Sequence, residues 1–137
     1  MRTKYNIANI VLQSGDTEGA KIQYQETIDL AKKYDQKGLK DMFQLNFAGL
    51  LFQLEDFGSA IELYGDIYIS CIERKDYLQA GTAMYYSGLS YFRLNQIDKG
   101  IKALEEAIES YKMLDEEPPQ LVKVQETLES VRKQLNL

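Results

Sequence analysis

Amide side chains, those of asparagine and glutamine, stand out among the groups that could do chemistry. Each offers a donor and an acceptor, so it can pair with peptide backbone whatever side chains that backbone carries. The groups that drive most catalysis are missing. There is no histidine, the commonest general base and metal ligand, and the single cysteine, Cys71, excludes disulfide frameworks and multi-cysteine zinc sites. The acidic run Asp115-Glu116-Glu117 and the pair Glu105 and Glu109 read as solvated faces, because a hard cation needs a loop delivering several oxygens and that spacing is absent. No nucleophile and base pair or phosphate-cradling glycine loop is legible. The expectation is therefore a non-enzyme without a cofactor or a metal.

The elements that position these side chains must come from one domain, since 137 residues leave no room for a second of ordinary size. With 45% apolar residues the chain can build a core, which argues against disorder. Twenty-one acidic against sixteen basic residues give a net charge of -5, the wrong sign for neutralising phosphates, so nucleic acid is not an expected partner. Ile7 to Leu12 is far short of the roughly 20 residues that a membrane span needs. With no legible secretory signal and one thiol, the expected location is the cytoplasm.

Shifting the chain by 40 residues aligns it with itself. Ala8, Ala48 and Gly88 share a column, as do Leu12, Phe52 and Phe92; Ala20, Ala60 and Gly100; Tyr24, Tyr64 and Leu104; Val11, Leu51 and Tyr91; and Ile28, Tyr68 and Ile108. Small residues recur with small and large with large. Within a unit the spacing is helical: Ala60, Tyr64, Ile67, Tyr68 and Cys71 form one stripe, and Gly100, Leu104, Ala107, Ile108 and Tyr111 another. Recurrent small residues let two helices approach closely, and stacked hairpins then cover one another's apolar faces.

Polar breaks at Ser14-Gly15-Asp16, Glu55-Asp56 and Asn95-Gln96 divide each unit, with Asp16 and Asp56 as expected N-caps. The spacing predicts seven helices, over 2–13, 17–35, 38–53, 57–74, 77–94, 97–114 and 119–135, and no strand. Pro118-Pro119 stops the sixth and opens the last. That last helix, with Leu121, Val124, Leu128, Val131 and Leu135 on one face, reads as a terminal cap.

Gly88-x-x-Tyr91 followed by Gly100, Ile101, Leu104 and Ala107, and likewise Ala48, Phe57, Ala60, Ile61 and Tyr64, resemble the tetratricopeptide repeat. The resemblance runs from residue 2 to about 115. The departures are a missing tryptophan, no proline at the first two junctions, and a period of 40 where the family's usual one is about 34. It implies an all-α, superhelical stack of antiparallel helix pairs in a single domain over 1–137, with repeats at about 1–36, 37–76 and 77–117 and the capping helix at 119–135. Similarly lengthened units occur in the sensor halves of bacterial peptide-responsive regulators.

The resemblance also implies that the first helix of each pair lines a concave surface. By column this gives Tyr5, Leu45 and Tyr85; Asn6, Asn46 and Tyr86; Asn9, Gly49 and Leu89; Leu12, Phe52 and Phe92; and Gln13, Gln53 and Arg93. The expected peptide groove is Tyr5, Asn6, Asn9, Gln13, Asn46, Phe52, Gln53, Tyr85, Leu89, Phe92 and Arg93. Amides would clamp the backbone, rings would supply pockets, and Arg93 would be the candidate for an anion. Core packing competes for Phe52, Phe92 and Tyr91, and solvated or helix-to-helix roles for Asn6 and Asn46. Cys71 on the buried stripe reads as packing.

One variant of the family holds acidic tails between asparagines and basic residues. Asn9 and Asn46 match its asparagines, but Tyr5, Thr82 and Tyr86 replace its cations, so a neutral or apolar peptide is expected. The function expected is a non-catalytic protein- or peptide-binding module. The alternative is the sensor and dimerisation half of a peptide-responsive transcriptional regulator whose DNA-binding part precedes Met1. The first repeat has no cap in front of it, which would suit either a longer chain or a homo-oligomer.

Overall fold

The chain alternates helices of sixteen or seventeen residues with short turns, and the turns set the architecture. The computed structural model describes residues 17–34 and 37–136. Among them are six α-helices: α1 (Thr17–Lys33), α2 (Lys37–Gln53), α3 (Phe57–Glu73), α4 (Tyr77–Arg93), α5 (Ile97–Lys112) and α6 (Pro119–Gln134). Their bounds fall within two residues of those expected from the sequence. The expected helix over 2–13, and with it the Asp16 cap, lies outside the described residues.

Three turns share one construction. Glu55, Lys75 and Asn95, with φ of 63°, 58° and 60°, are the left-handed residues just past α2, α3 and α4. The N–H of the following residue reaches back five positions in each case, Asp56 to Leu51 O, Asp76 to Cys71 O and Gln96 to Tyr91 O, at 2.9, 2.8 and 2.9 Å. This is the Schellman closure, which satisfies carbonyls that a helix end leaves open. Asp56 and Asp76 then cap the next helix, accepting from the N–H of Ser59 and of Gln79. Gln96 holds the same position without a side-chain cap bond. Turn and helix together repeat every 20 residues, so the 40-residue period is two such half-units.

Antiparallel neighbours pack α1 on α2, α2 on α3, α3 on α4, α4 on α5 and α5 on α6. Of the small-residue columns, Ala48 and Ala60 are fully buried and Gly88 and Gly100 sit at helix crossings, while Ala8 lies outside the described residues. A Cβ added at Gly88 would lie 2.9 Å from Leu104 Cδ2 and 3.1 Å from the carbonyl oxygen of Gly100, and one at Gly81 would lie 2.5 Å from the Tyr111 ring. A Cβ at Gly100 would enter the Phe92 ring. Around these contacts, Tyr64, Ile67, Cys71, Ala80 and Ala83 form a central core and Leu104, Ala107, Tyr111, Leu121 and Val124 a C-terminal one. Each large side chain so buried stabilises the fold by about 1.5–3 kcal/mol.

On α6, Leu121, Val124 and Leu128 are buried against α5, while Val131 is half-buried and Leu135 exposed. The capping face is thus sealed at its start and opens towards its end.

Candidate functional site

The turn after α2 and the return of the chain through α3 bring α2 and α4 to the same side of the stack. Between them lies a groove of about 500 Å³, lined by Leu45, Asn46, Gly49, Leu50, Phe52 and Gln53 from α2, Thr82 and Tyr86 from α4, Tyr24 from α1 and Tyr64 from α3. Tyr24 and Tyr64, one repeat apart, are both buried and make its floor. Burial, and secondarily the neighbouring Tyr86, hold the Tyr64 phenol well above its ordinary range, so it stays protonated and neutral.

The rings contact one another in the arrangements that aromatic quadrupoles favour. Tyr86 stacks on Tyr64 at 6.0 Å between centroids and meets Phe52 nearly edge-on at 5.7 Å. Phe52 in turn meets Phe57 at 5.4 Å, again edge-on. None of the ten lining residues is Asp, Glu, Lys or Arg.

The residues expected to form the groove divide into three sets. Asn46, Phe52 and Gln53 line it together. Asn46 donates from Nδ2 to the carbonyl of Met42 on its own helix at 3.0 Å and remains exposed at the rim. Tyr85, Leu89, Phe92 and Arg93 lie away from it. Tyr85 is only 8% exposed and belongs to the C-terminal core, with Lys123 Nζ 5.9 Å from its ring centroid. Leu89 and Phe92 pack against the same core. Arg93 donates to Glu55 Oε1 at 2.9 Å and sits over the Phe57 ring, which joins the end of α4 to the turn after α2. Tyr5, Asn6, Asn9 and Gln13 lie outside the described residues.

Tyr86, Leu45 and Gly49 are the 40-residue mates of Asn46, Tyr85 and Leu89, so the column rule reaches them. Tyr24 and Tyr64 read as core in the sequence and prove to be both core and floor. Thr82, one of the positions where a cation was absent, does line the groove. Its Oγ1 donates to Leu78 O at 3.0 Å and lies 2.8 Å from the Tyr111 hydroxyl.

Residues 82–112, from α4 through α5, match the tetratricopeptide repeat family. The N-terminal domain of stress-induced protein-1 (STI-1) from C. elegans superposes with a TM-score of 0.74 at 20% identity, over 93% of this chain and 92% of that one. The fold is a tetratricopeptide-repeat fold. BtubC (BKLC) from P. vanneervenii gives 0.79 at 15% identity, over 95% of this chain and 54% of that one. The TPR2AB domain of yeast Sti1, in its complex with pHSP90, gives 0.75 at 16% identity, over 98% of this chain and 47% of that one. The chain thus spans about half of each of the last two. No curated protein matches the sequence.

Within the tetratricopeptide fold, one groove residue breaks the packing logic of the other small positions. A Cβ added at Gly49 meets nothing within 4 Å. In the interior of α2 this glycine costs about 0.5–1 kcal/mol relative to alanine, and no crossing among the described helices requires it.

A second polar constellation lies at the opposite end of the α2–α3 hairpin. Asp41 is fully buried, and its Oδ2 accepts from Ser70 Oγ at 2.8 Å and from Arg74 Nε and Nη2 at 3.2 and 2.6 Å. Its Oδ1 makes no hydrogen bond and lies 3.7 Å from Lys40 Nζ. Cys71, 3.8 Å from Oδ2, is its fourth neighbour. Asp41 and Arg74 carry no mark of this pairing in the sequence, where Cys71 reads as packing alone. Among the described residues no cluster of three or more potential ligands could hold a metal ion, and Asp41 is matched by two cations. Its chemistry is structural.

Proposed function

We propose that this chain is a non-catalytic binding module whose groove between α2 and α4 holds an uncharged segment of a partner protein. The observation that carries the reading is the lining itself: among the described residues it consists of four aromatic rings and two leucines, rimmed by Asn46, Gln53 and Thr82, with Gly49 between them and no charged side chain. Rings supply buried apolar area, and the amides supply donors and acceptors for an extended backbone. A carboxylate brought here would lose its hydration without gaining a cation from the described lining residues.

The yeast Sti1 neighbour is a complex with pHSP90, which supports a protein segment as the class of ligand. The sequence resemblance implies a difference in ligand charge, since Thr82 and Tyr86 stand where the acidic-tail variant of the family places cations. A net charge of -5 argues against nucleic acid as partner. No helix among the described residues is long and apolar enough to cross a membrane. A cytoplasmic setting belongs to this reading through the single buried thiol.

Calorimetry with a peptide panel of neutral, apolar and acidic-tailed sequences tests it. The expected result is binding of neutral or apolar members, weakened about two- to tenfold in Asn46→Ala and more in Tyr86→Ala. Preference for the acidic-tailed peptides, or affinities indifferent to both substitutions, would place the site elsewhere.

A further inference from the structure

The six glycines from Gly49 to Gly100 are of two kinds. At Gly81, Gly88 and Gly100 a side chain would collide with Tyr111, Leu104 and Phe92, so close packing accounts for them. At Gly49, Gly58 and Gly65 an added Cβ meets nothing within 4 Å. Gly58 is the second residue of α3, where a helix is only beginning. Gly65 opens on a smaller groove bordered by Lys99, Lys102 and Glu106, whose mixed charges select no occupant. Gly49 lies inside α2 and faces the aromatic groove. A glycine in a helix interior weakens the helix relative to alanine, and here no neighbour among the described residues demands it.

Resting on the groove reading above, we propose that Gly49 is the base of a notch that accepts one aromatic side chain of the partner segment. Removing the Cβ bares the α2 backbone between Asn46 on the preceding turn and Phe52 and Gln53 on the next. Tyr86 and Phe52 already meet edge-on at 5.7 Å, and Tyr86 stacks on Tyr64 at 6.0 Å. An incoming ring over Gly49 extends that cluster by the same edge and stacking contacts. The described lining residues carry no charge, so Lys, Arg, Asp and Glu side chains would be desolvated there without a partner among them. The column mate Leu89 carries a bulky side chain packed against the C-terminal core, so of these two described positions only Gly49 offers the notch.

The test uses the full chain labelled with nitrogen-15, and N-acetyl-phenylalaninamide as probe. Saturable shifts are expected in the backbone amide signals of Gly49, Phe52 and Tyr86. N-acetyl-leucinamide, N-acetyl-lysinamide and the α-amide of N-acetyl-aspartic acid, which keeps its side-chain carboxylate, should bind more weakly. Gly49→Leu, which fills the notch with its own side chain, should weaken the phenylalanine probe at least about tenfold. Gly49→Ala should reduce it less, and both variants should melt at or above the wild-type temperature, which separates a blocked notch from a damaged fold. Shifts that survive Gly49→Leu, an absence of shifts at Gly49 in the wild type, or equal saturation by the leucine probe would overturn the proposal. A panel peptide that binds wild type and Gly49→Leu equally overturns the notch and leaves the groove reading standing. Saturation by the phenylalanine probe with no peptide binding supports the notch and removes the groove reading.

Discussion

Arg74 donates from both Nε and Nη2 to one oxygen of a residue 33 positions earlier, Asp41 Oδ2, at 3.2 and 2.6 Å. Asp41 is in the first turn and a half of α2, and Arg74 ends α3, so this contact closes the hairpin at the end remote from its turn. The Asp41 side chain has no exposure and that of Arg74 is 28% exposed. The pair therefore gains strength from low dielectric on one side and keeps a route to water on the other.

Arg74→Ala should therefore hurt more than its position beside a turn suggests. It strips two donors from a buried carboxylate and leaves Ser70 and the more distant Lys40 to compensate. Breaking a buried pair from one side costs about 3 kcal/mol or more, and denaturant unfolding should register a loss of that order. Asp41→Asn, which keeps an acceptor for Ser70, should lose less. Equal small losses for both variants would show that the contact contributes little.

The Cys71 thiol gives this cluster an alkaline signature. Burial, then the nearby Asp41 and Asp76, push its pKa from an ordinary 9.0 up to about 12, with Arg74 opposing. Between those values the unfolded chain releases the proton and the folded chain keeps it. Unfolding is then favoured as pH rises, so this group lowers stability from about pH 9 towards 12 and is silent below. Cys71→Ala should flatten the stability profile between pH 9 and 10, before the ordinary tyrosine range begins. Thiol reagents at pH 8 should label wild type only after denaturation, and rapid native labelling would contradict the burial argument.

The sequence exposed the stack more readily than the groove, and the reason lies in how the two are built. Ala48 and Gly88, or Ala60 and Gly100, recur because a backbone crossing tolerates nothing larger, so their columns carry a packing constraint that needs no partner. Tyr85 and Tyr86 are adjacent and chemically identical. One is core and the other groove because α6 lays Leu121 and Val124 over the C-terminal cluster, a long-range event with no local mark. Asp41 was hidden for a related reason: a charge on a helix reads as a solvated face until Arg74 arrives from another element. The 20-residue half-unit was also obscured. Its left-handed position is held by Glu55, Lys75 and Asn95, and glycine, the usual signal, is absent.

Gly88→Ala tests the crossing of α4 and α5. The added carbon lies 2.9 Å from Leu104 Cδ2, which can rotate, and 3.1 Å from the Gly100 carbonyl oxygen, which is backbone and cannot. Overpacking of this kind costs about 1–3 kcal/mol, and Gly88→Leu should fall at or beyond the upper end. Gly65→Ala is the control: with open space around its Cβ it should gain up to about 1 kcal/mol through helix propensity alone. Thermal unfolding of the two variants should move in opposite directions, and parallel shifts would remove the distinction between crossing and open glycines.

Lys75 holds φ at 58° with a full side chain. For an L-residue the left-handed region costs roughly 1–2 kcal/mol through the approach of Cβ to the following carbonyl oxygen. Glycine removes that repulsion but raises the conformational freedom lost on folding by about 0.4–1 kcal/mol, so the net gain from Lys75→Gly should be about 0.5–1 kcal/mol. The Schellman bond from Asp76 N–H to Cys71 O at 2.8 Å involves only backbone and should persist. Asn95→Gly should gain less than Lys75→Gly, because asparagine tolerates the left-handed region better than lysine. Asp76→Ala at the same turn should lose about 1 kcal/mol with the cap to Gln79 N–H. Calorimetric unfolding that ranks Lys75→Gly above Asn95→Gly, with Asp76→Ala below wild type, would establish the turn as a strained closure followed by a cap. A loss of stability in Lys75→Gly would mean that the aliphatic stem of Lys75 compensates the strain by contacts of its own.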